Sequence, residues 1–214
     1  MAAAFDYKKE YKDLYLPKVK PSVIDVPEMV FIMVAGKGNP NTSEAYKNAL
    51  EILYGLSYAI KMSKMSGTQP KDYFEYVVPP LEGLWWGEDG CFDGVNIIDK
   101  DRLRWISMIR QPEFVSDEVF DMAKFTLAKK KPELNLSLAG LVTFNEGLCA
   151  QIMHIGSYDN EPATIGVLEK FIAESEYNNH ISESRKHHEI YLSDPRKTAP
   201  EKLKTVIRHP IVKR

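Results

Sequence analysis

The sequence predicts an α+β fold in which duplicated strand-helix-strand-strand modules form a mostly antiparallel sheet, with helices on one face and a ligand groove on the other. Three observations lead there. The two halves of the chain carry the same order of signals, each half holds one helix with a single apolar stripe, and each half closes on the pattern Ile-Arg-x-Pro, at 109–112 and 207–210. A helix with one stripe covers one side of a sheet and no more.

In order, the first copy starts with the apolar strand "MVFIMVAGKGNP" (29–40), stopped by Gly36 and Gly38. The second starts with "LCAQIMHIGSYDNEP" (148–162), where Gly156 and Pro162 do the same work. The first helix opens with Asn41 as N-cap and Glu44 as its capping-box partner, and places Ala49, Leu50, Leu53, Leu56 and Ile60 on one face. The second follows Pro162, with Ile165, Leu168, Phe171 and Ile172 at helical spacing. The strings "FEYVVPP" and "HEIYLSDP" then read as matching strands with Glu second, which pairs Glu75 with Glu189. Each copy closes with a basic-Leu-basic strand, at 102–112 and 202–210. A helix over 116–130 links the copies, and "LSLAGLVTF" (136–144) adds a strand before the second. The whole reads as one domain over 1–214: an N-terminal arm (1–24), a first module (25–113), a linking helix and strand (114–147) and a second module (148–214).

Composition narrows the function classes. With 44% hydrophobic and 27% charged residues the chain is an ordinary globular protein, and a net charge of −2 lacks the positive field that direct nucleic-acid binding needs. The longest apolar run, "MVFIMVA", is too short to cross a bilayer, and the first residues lack a secretory apolar segment, which predicts a cytoplasmic protein with no membrane partner. Cys91 and Cys149 have no C-x-x-C spacing and read as reduced and structural. No metal and no cofactor are expected. His187 and His188 point to opposite strand faces, "GKGNP" lacks the phosphate-loop spacing, "EDGCFDG" (88–94) lacks calcium-loop spacing and reads as a rim loop, and no serine elbow exists.

Strand alternation puts His188, Ile190 and Leu192 on one face and His187, Glu189 and Tyr191 on the other. The first trio is the more apolar and is expected to meet the helices, leaving Glu189 and Tyr191 on the helix-free face. A charged strand residue is commonly just solvated. The aromatic supply argues otherwise: Trp85 and Trp86 in "LEGLWWG", Tyr158 after the second copy's first strand, and Tyr191 beside the acid. Rings around a carboxylate suit a flat, apolar cation, which they stack on while the acid neutralises it. One tryptophan belongs in the core and one in the groove, and alternation does not say which.

At these residues the chain resembles the GyrI-like small-molecule-binding family, which shares its domain with the effector domains of multidrug-responsive transcription activators. "HIGSYDNEPAT", the helix after it and "HEIYLSDPRKTAPEKLKTVIRHPI" fit the family's His-x-Gly-x-Tyr, helix, Glu-x-Tyr-x-x-Asp-Pro and x-x-Pro-Ile. The resemblance implies a pseudo-twofold pair of modules with a groove at their junction, a central carboxylate at Glu189, and Tyr191 and Tyr158 as groove aromatics. Trp85, Trp86, Glu82 and His154 join them as ligand-binding candidates. With no helix-turn-helix segment ahead of the domain, direct transcriptional control is not expected. "GKGNP" and "EGLWW" resemble a stand-alone branch that includes hydrolases opening the cyclopropane ring of DNA-alkylating antibiotics.

Three functions follow from this pattern. As a hydrolase, the chain would use Glu189 to activate water, Tyr191 as a hydrogen-bond donor, and Trp86 with Tyr158 to stack on the substrate. As a sensor or sequestering module it would hold small hydrophobic or cationic molecules in the same groove without chemistry. As a protein-interaction domain, of the topoisomerase-inhibiting kind the family name suggests, it would use the exposed arm at 5–24.

Overall fold

The structure, a computed structural model, describes residues 4–91 and 97–214; residues 92–94 of the expected rim loop lie outside them. Among the described residues, nine strands form one sheet: β1 (Ser22–Val26), β2 (Met29–Lys37), β3 (Leu81–Gly87), β4 (Leu103–Arg110), β5 (Ala139–Phe144), β6 (Gly147–Ile155), β7 (Tyr177–Asn179), β8 (His187–Tyr191) and β9 (Lys204–Lys213). Five helices accompany them: α1 (Tyr7–Glu10), α2 (Lys12–Tyr15), α3 (Glu44–Lys61), α4 (Asp117–Lys130) and α5 (Glu161–Glu174). The strand order is β1-β6-β9-β8-β3-β4-β2-β5, with β7 added on β9, and the paired strands run antiparallel. The fold is α+β, and β8 meets β3 at the middle of the sheet. No helix among the described residues is long and apolar enough to cross a membrane.

Two local readings change. α3 starts at Glu44, and its cap is Ser43, whose hydroxyl accepts from the Tyr46 amide; Asn41 instead belongs to the turn closed by the Asn39 side chain. The stretch 73–80 is not a strand. Pro79 and Pro80 have no amide hydrogen to give a ladder, and Tyr76 makes only an isolated bridge to Phe5. The partner of β8 is β3, "LEGLWWG", so Glu75 has no equivalence to Glu189 and forms an exposed ion pair with Lys64. The ladders supply the true correspondence: Ile109 faces Leu81 and Ile207 faces Glu189, while Ser107 faces Gly83 and Thr205 faces Tyr191. With the two Ile-Arg-x-Pro ends aligned, Leu81 takes the place of Glu189 and Gly83 that of Tyr191.

Register also decides the faces. Ile32 faces Ile109, Ile109 faces Leu81 and Leu81 faces Tyr191, so these residues share one side of the sheet. On that side α3 and α4 bury Ile52, Leu53, Leu56, Phe120 and Leu127 against Ile32, Val34, Trp105 and Ile109, and α5 buries Leu168 and Ile172 against Ala150, Ile152 and Ile207. Each such side chain contributes about 1.5–3 kcal/mol when fully buried. Glu189, opposite Ile207, therefore stands on the helix-bearing face, not on a helix-free one, within electrostatic reach of Tyr46 of α3 and Glu161 of α5. Alternation sorted the two trios of β8 correctly, but apolarity pointed to the wrong neighbour. The apolar trio meets the N-terminal arm, where Tyr7, Leu14 and Tyr15, with Tyr76, cover Phe31, Leu84, Met108, Ile190 and Val206.

The arm is fixed by buried charges. Arg208 donates to the Leu14 carbonyl (2.9 Å) and pairs with Glu146 (2.8 Å), while Gln151 donates to the Asp13 carbonyl (2.7 Å). His188 lies 3.0 Å from both Glu146 and Glu82, and the Tyr15 hydroxyl donates to Glu82 at 3.4 Å. Arg110 sits 4.5 and 4.6 Å from the Tyr7 and Tyr11 ring centres. With Tyr7 and Tyr15 buried in this way, they are not surfaces a protein partner could reach.

Candidate ligand-binding site

β8 delivers three polar side chains to the helix-bearing face because its residues alternate. Glu189 is the middle one. Its Oε2 accepts from the Tyr191 hydroxyl (2.6 Å) and its Oε1 contacts His187 Nε2 (2.8 Å). Across the seam, Trp85 Nε1 donates to the Tyr191 oxygen (2.8 Å). That contact depends on Gly83: a Cβ there would fall 2.6 Å from Trp85 Nε1 and 3.3 Å from the Tyr191 oxygen. The missing side chain lets the indole fold over the strand. Tyr46 of α3 tilts against Trp85 (5.9 Å between ring centres), and Tyr158, just before α5, meets Tyr191 edge-on (5.8 Å).

The site holds a second acid. Glu161, in the first turn of α5, is 6% exposed, and its Oε1 has no hydrogen-bond partner. Burial, and after it the charge of Glu189, pushes the Glu161 pKa well above the carboxylate range. Glu189 goes the other way. Burial alone would raise it, but the hydrogen bonds from His187 and Tyr191 and the imidazole charge outweigh burial and hold it below its ordinary value. Its side chain is 15% exposed, sheltered yet reachable. Burial followed by neighbouring acids raises Tyr191 far above the phenol range and Tyr46 and Tyr158 up to about 12, so all three phenols stay neutral near pH 7. One site thus brings together two carboxyl groups, one pushed above and one held below its ordinary pKa, among aromatic rings.

Of the residues singled out in the sequence, Glu189, Tyr191, Trp85 and Tyr158 come together here. Trp86 does not. It points to the other face, opposite Arg104, with the Lys186 ammonium 4.7 Å from its ring centre. Glu82 lies on that face too, locked in the ion cluster beneath the arm. His154 stays on the cleft side of β6, but both ring nitrogens are engaged, with the Thr164 hydroxyl (2.8 Å) and the Ser157 carbonyl (3.0 Å), so it shapes the entry to α5. The expected Tyr191 donor is already committed to Glu189 and has no second hydrogen to offer.

The sequence did not single out Glu161, Tyr46 and Gly83, and it placed His187 on this face but weighed it only as a metal ligand. The signal for Glu161 was present: an acid directly before Pro162 at a helix start, read only as punctuation. Tyr46 sits three residues past the cap of an amphipathic helix, where pattern alone does not separate a rim aromatic from a core one. Among the described residues no three His, Cys, Asp or Glu side chains are grouped to hold a metal ion.

The chain resembles several known proteins. The family model described as GyrI-like small molecule binding domain matches residues 118–212. An uncharacterized conserved protein from Listeria innocua is 48% identical, with TM-score 0.91, over 97% of this chain and 100% of that one. Two further crystal structures, each described as a hydrolase from Listeria innocua, are 46% and 45% identical, with TM-scores 0.88 and 0.89. They cover 97% and 98% of this chain and 100% of their own. No match is found among curated proteins.

Proposed function

The chain belongs to the GyrI-like small-molecule-binding family, and on that footing we propose that it takes up flat, hydrophobic, cationic or electrophilic compounds between α3 and α5 and hydrolyses those bearing a strained cyclopropane conjugated to a carbonyl. The observation that carries this reading is geometric: Glu189, held by Tyr191 at 2.6 Å and His187 at 2.8 Å, shares the face with the buried Glu161 and with the rings of Trp85, Tyr46 and Tyr158.

Glu189 takes a proton from water as the water oxygen bonds to a ring carbon. The cyclopropane carbon-carbon bond breaks, and its electron pair passes through the conjugated system to the carbonyl oxygen. The Glu161 carboxylic acid protonates that oxygen. The proton on Glu189 afterwards restores Glu161, so the sum is the addition of one water. Tyr191 and His187 keep the Glu189 oxygens aimed, and Trp85, Tyr46 and Tyr158 supply faces for the flat substrate. Two of the similar proteins are described as hydrolases, which supports this reading.

A second reading has its own support. Both Glu189 oxygens already accept hydrogen bonds, which is how a fixed counter-charge is held, and a module that only sequesters cations needs nothing more. Incubation with a cyclopropane-bearing electrophile, followed by mass spectrometry, separates the two. Addition of one water by the native protein, with a loss of about a hundredfold or more in Glu189→Gln, supports hydrolysis; saturable binding with unchanged mass leaves the binding module.

A further inference from the structure

A line of contacts leads from the cleft to the outer side of α5. Glu189 Oε1 lies 2.8 Å from His187 Nε2, His187 Nδ1 lies 2.7 Å from His209 Nε2, and His209 Nδ1 lies 2.5 Å from Glu169 Oε1. The His209 side chain is 4% exposed and that of Glu169 41%, so the line starts in the cleft and ends at water.

Each of the three contacts needs one hydrogen. Ionised carboxylates supply none, so the three hydrogens belong to the two rings. Two neutral imidazoles carry only two N–H bonds, which would leave one contact with lone pairs opposed; two imidazoliums carry four, which would set two hydrogens against each other in the middle. Three N–H bonds mean one neutral ring and one cation. The pair therefore holds a single positive charge, and the middle hydrogen decides where it is. On His187 Nδ1 it charges His187; on His209 Nε2 it charges His209. The transfer breaks one N–H bond and makes another, and nothing else changes.

We propose that His187, His209 and Glu169 form a retractable counter-charge for Glu189, by which the cleft selects cationic over neutral ligands. Without a ligand we place the charge on His187, because the Glu189 carboxylate it faces is 15% exposed and less screened by water than Glu169 at 41%. Burial lowers the His209 pKa and outweighs the hydrogen bond to Glu169, which in turn holds Glu169 low. When a cation arrives, the charge on His187 becomes repulsive. The middle proton then crosses to His209 and the charge withdraws to Glu169, which leaves the full negative charge of Glu189 to the ligand. The groups facing this line are few: Glu161, Tyr46, Tyr158 and Tyr191 around Glu189, uncharged Trp85 opposite His187, Ala150 opposite His209, and Asn179, which donates to Glu169 at 2.7 Å.

The selection rests on the proposed role of Glu189 as the charge a ligand meets; the shared proton does not, and the two are tested apart. In ligand-free protein with nitrogen-15-labelled histidine, NMR is expected to show one imidazolium and one neutral ring in the pair, with the charge on His187. In Glu189→Gln, whose melting curve checks its fold, the charge is expected on His209. A charge that stays on His187, or a pair that is doubly neutral or doubly charged, overturns the relay whatever binds. For selection, a planar cationic dye and its neutral isostere are titrated into native and His209→Gln protein. The cation is expected to lose about tenfold in affinity with the neutral dye unchanged; equal losses, or no loss, overturn it. Native protein that binds neither dye overturns the cleft reading, and selection with it, while the NMR result on the relay stands by itself.

Discussion

At the scale of single residues, the cleft sets two identical functional groups to different tasks through their surroundings. Burial, and after it the charge of Glu189, raises the Glu161 pKa, whereas hydrogen bonds from His187 and Tyr191 hold Glu189 below its ordinary value. Stability carries the mark of this. A carboxyl raised in the folded state stabilises fully below its ordinary value of 4.5 and loses that contribution as pH climbs toward its raised value. Glu161→Gln mimics the protonated form at every pH, so its melting temperature is expected to fall less than that of the native protein between pH 5 and pH 8. A fall as steep as the native one would place the proton elsewhere. Gly83→Ala tests the indole's path. The added methyl collides with Trp85 Nε1, and overpacking of about 1–3 kcal/mol is expected, along with weaker dye binding; an unaltered urea midpoint would contradict the close approach.

At the scale of elements, β8 and α3 explain what could be read beforehand and what could not. Alternation assigned every β8 side chain to its trio, because a strand's period of two follows from local geometry. Which trio meets the helices is a tertiary matter: an arm more than a hundred residues away in sequence competes for the apolar side, and no local pattern reports it. The misreading of 73–80 has a similar cause. Tyr76, Phe74 and Phe114 cluster with Phe5, so that stretch looks like a strand in composition while its prolines deny it a ladder. The paired tryptophans, by contrast, were undecidable locally, since adjacent strand residues diverge and register alone chooses. For α3, the Ser43 cap leads to an expected cost of about 1 kcal/mol for Ser43→Ala, read as a shift in the urea midpoint, with Asn41→Ala close to neutral.

At the scale of the whole molecule, the buried cluster of Glu82, Glu146, His188 and Arg208 ties the arm to both halves of the sheet. Burial opposes its charges, yet Glu146 and Glu82 raise His188 to about 9, and His188 with Arg208 hold Glu146 down at about 2. The raised imidazole stabilises fully below its ordinary 6.5 and loses that contribution as pH rises through about 9. The depressed carboxylate stabilises above 4.5 and loses its contribution as pH falls toward about 2. The arm is therefore expected to become sensitive to protease at both extremes and resistant near pH 7. Glu146→Gln breaks a buried pair and is expected to destabilise by about 3–5 kcal/mol in urea unfolding; a change under 1 kcal/mol would mean the cluster does not hold the arm.

The correspondence of Leu81 with Glu189 and of Gly83 with Tyr191 reaches beyond any one contact. Two separate copies of a single module, joined at the same seam, would be compelled by symmetry to repeat every side chain, and their acids would face each other diagonally across the join as like charges. Fusion into one polypeptide lifts that compulsion: one half could surrender its acid and its phenol to become floor and headroom, while the other specialised in charge.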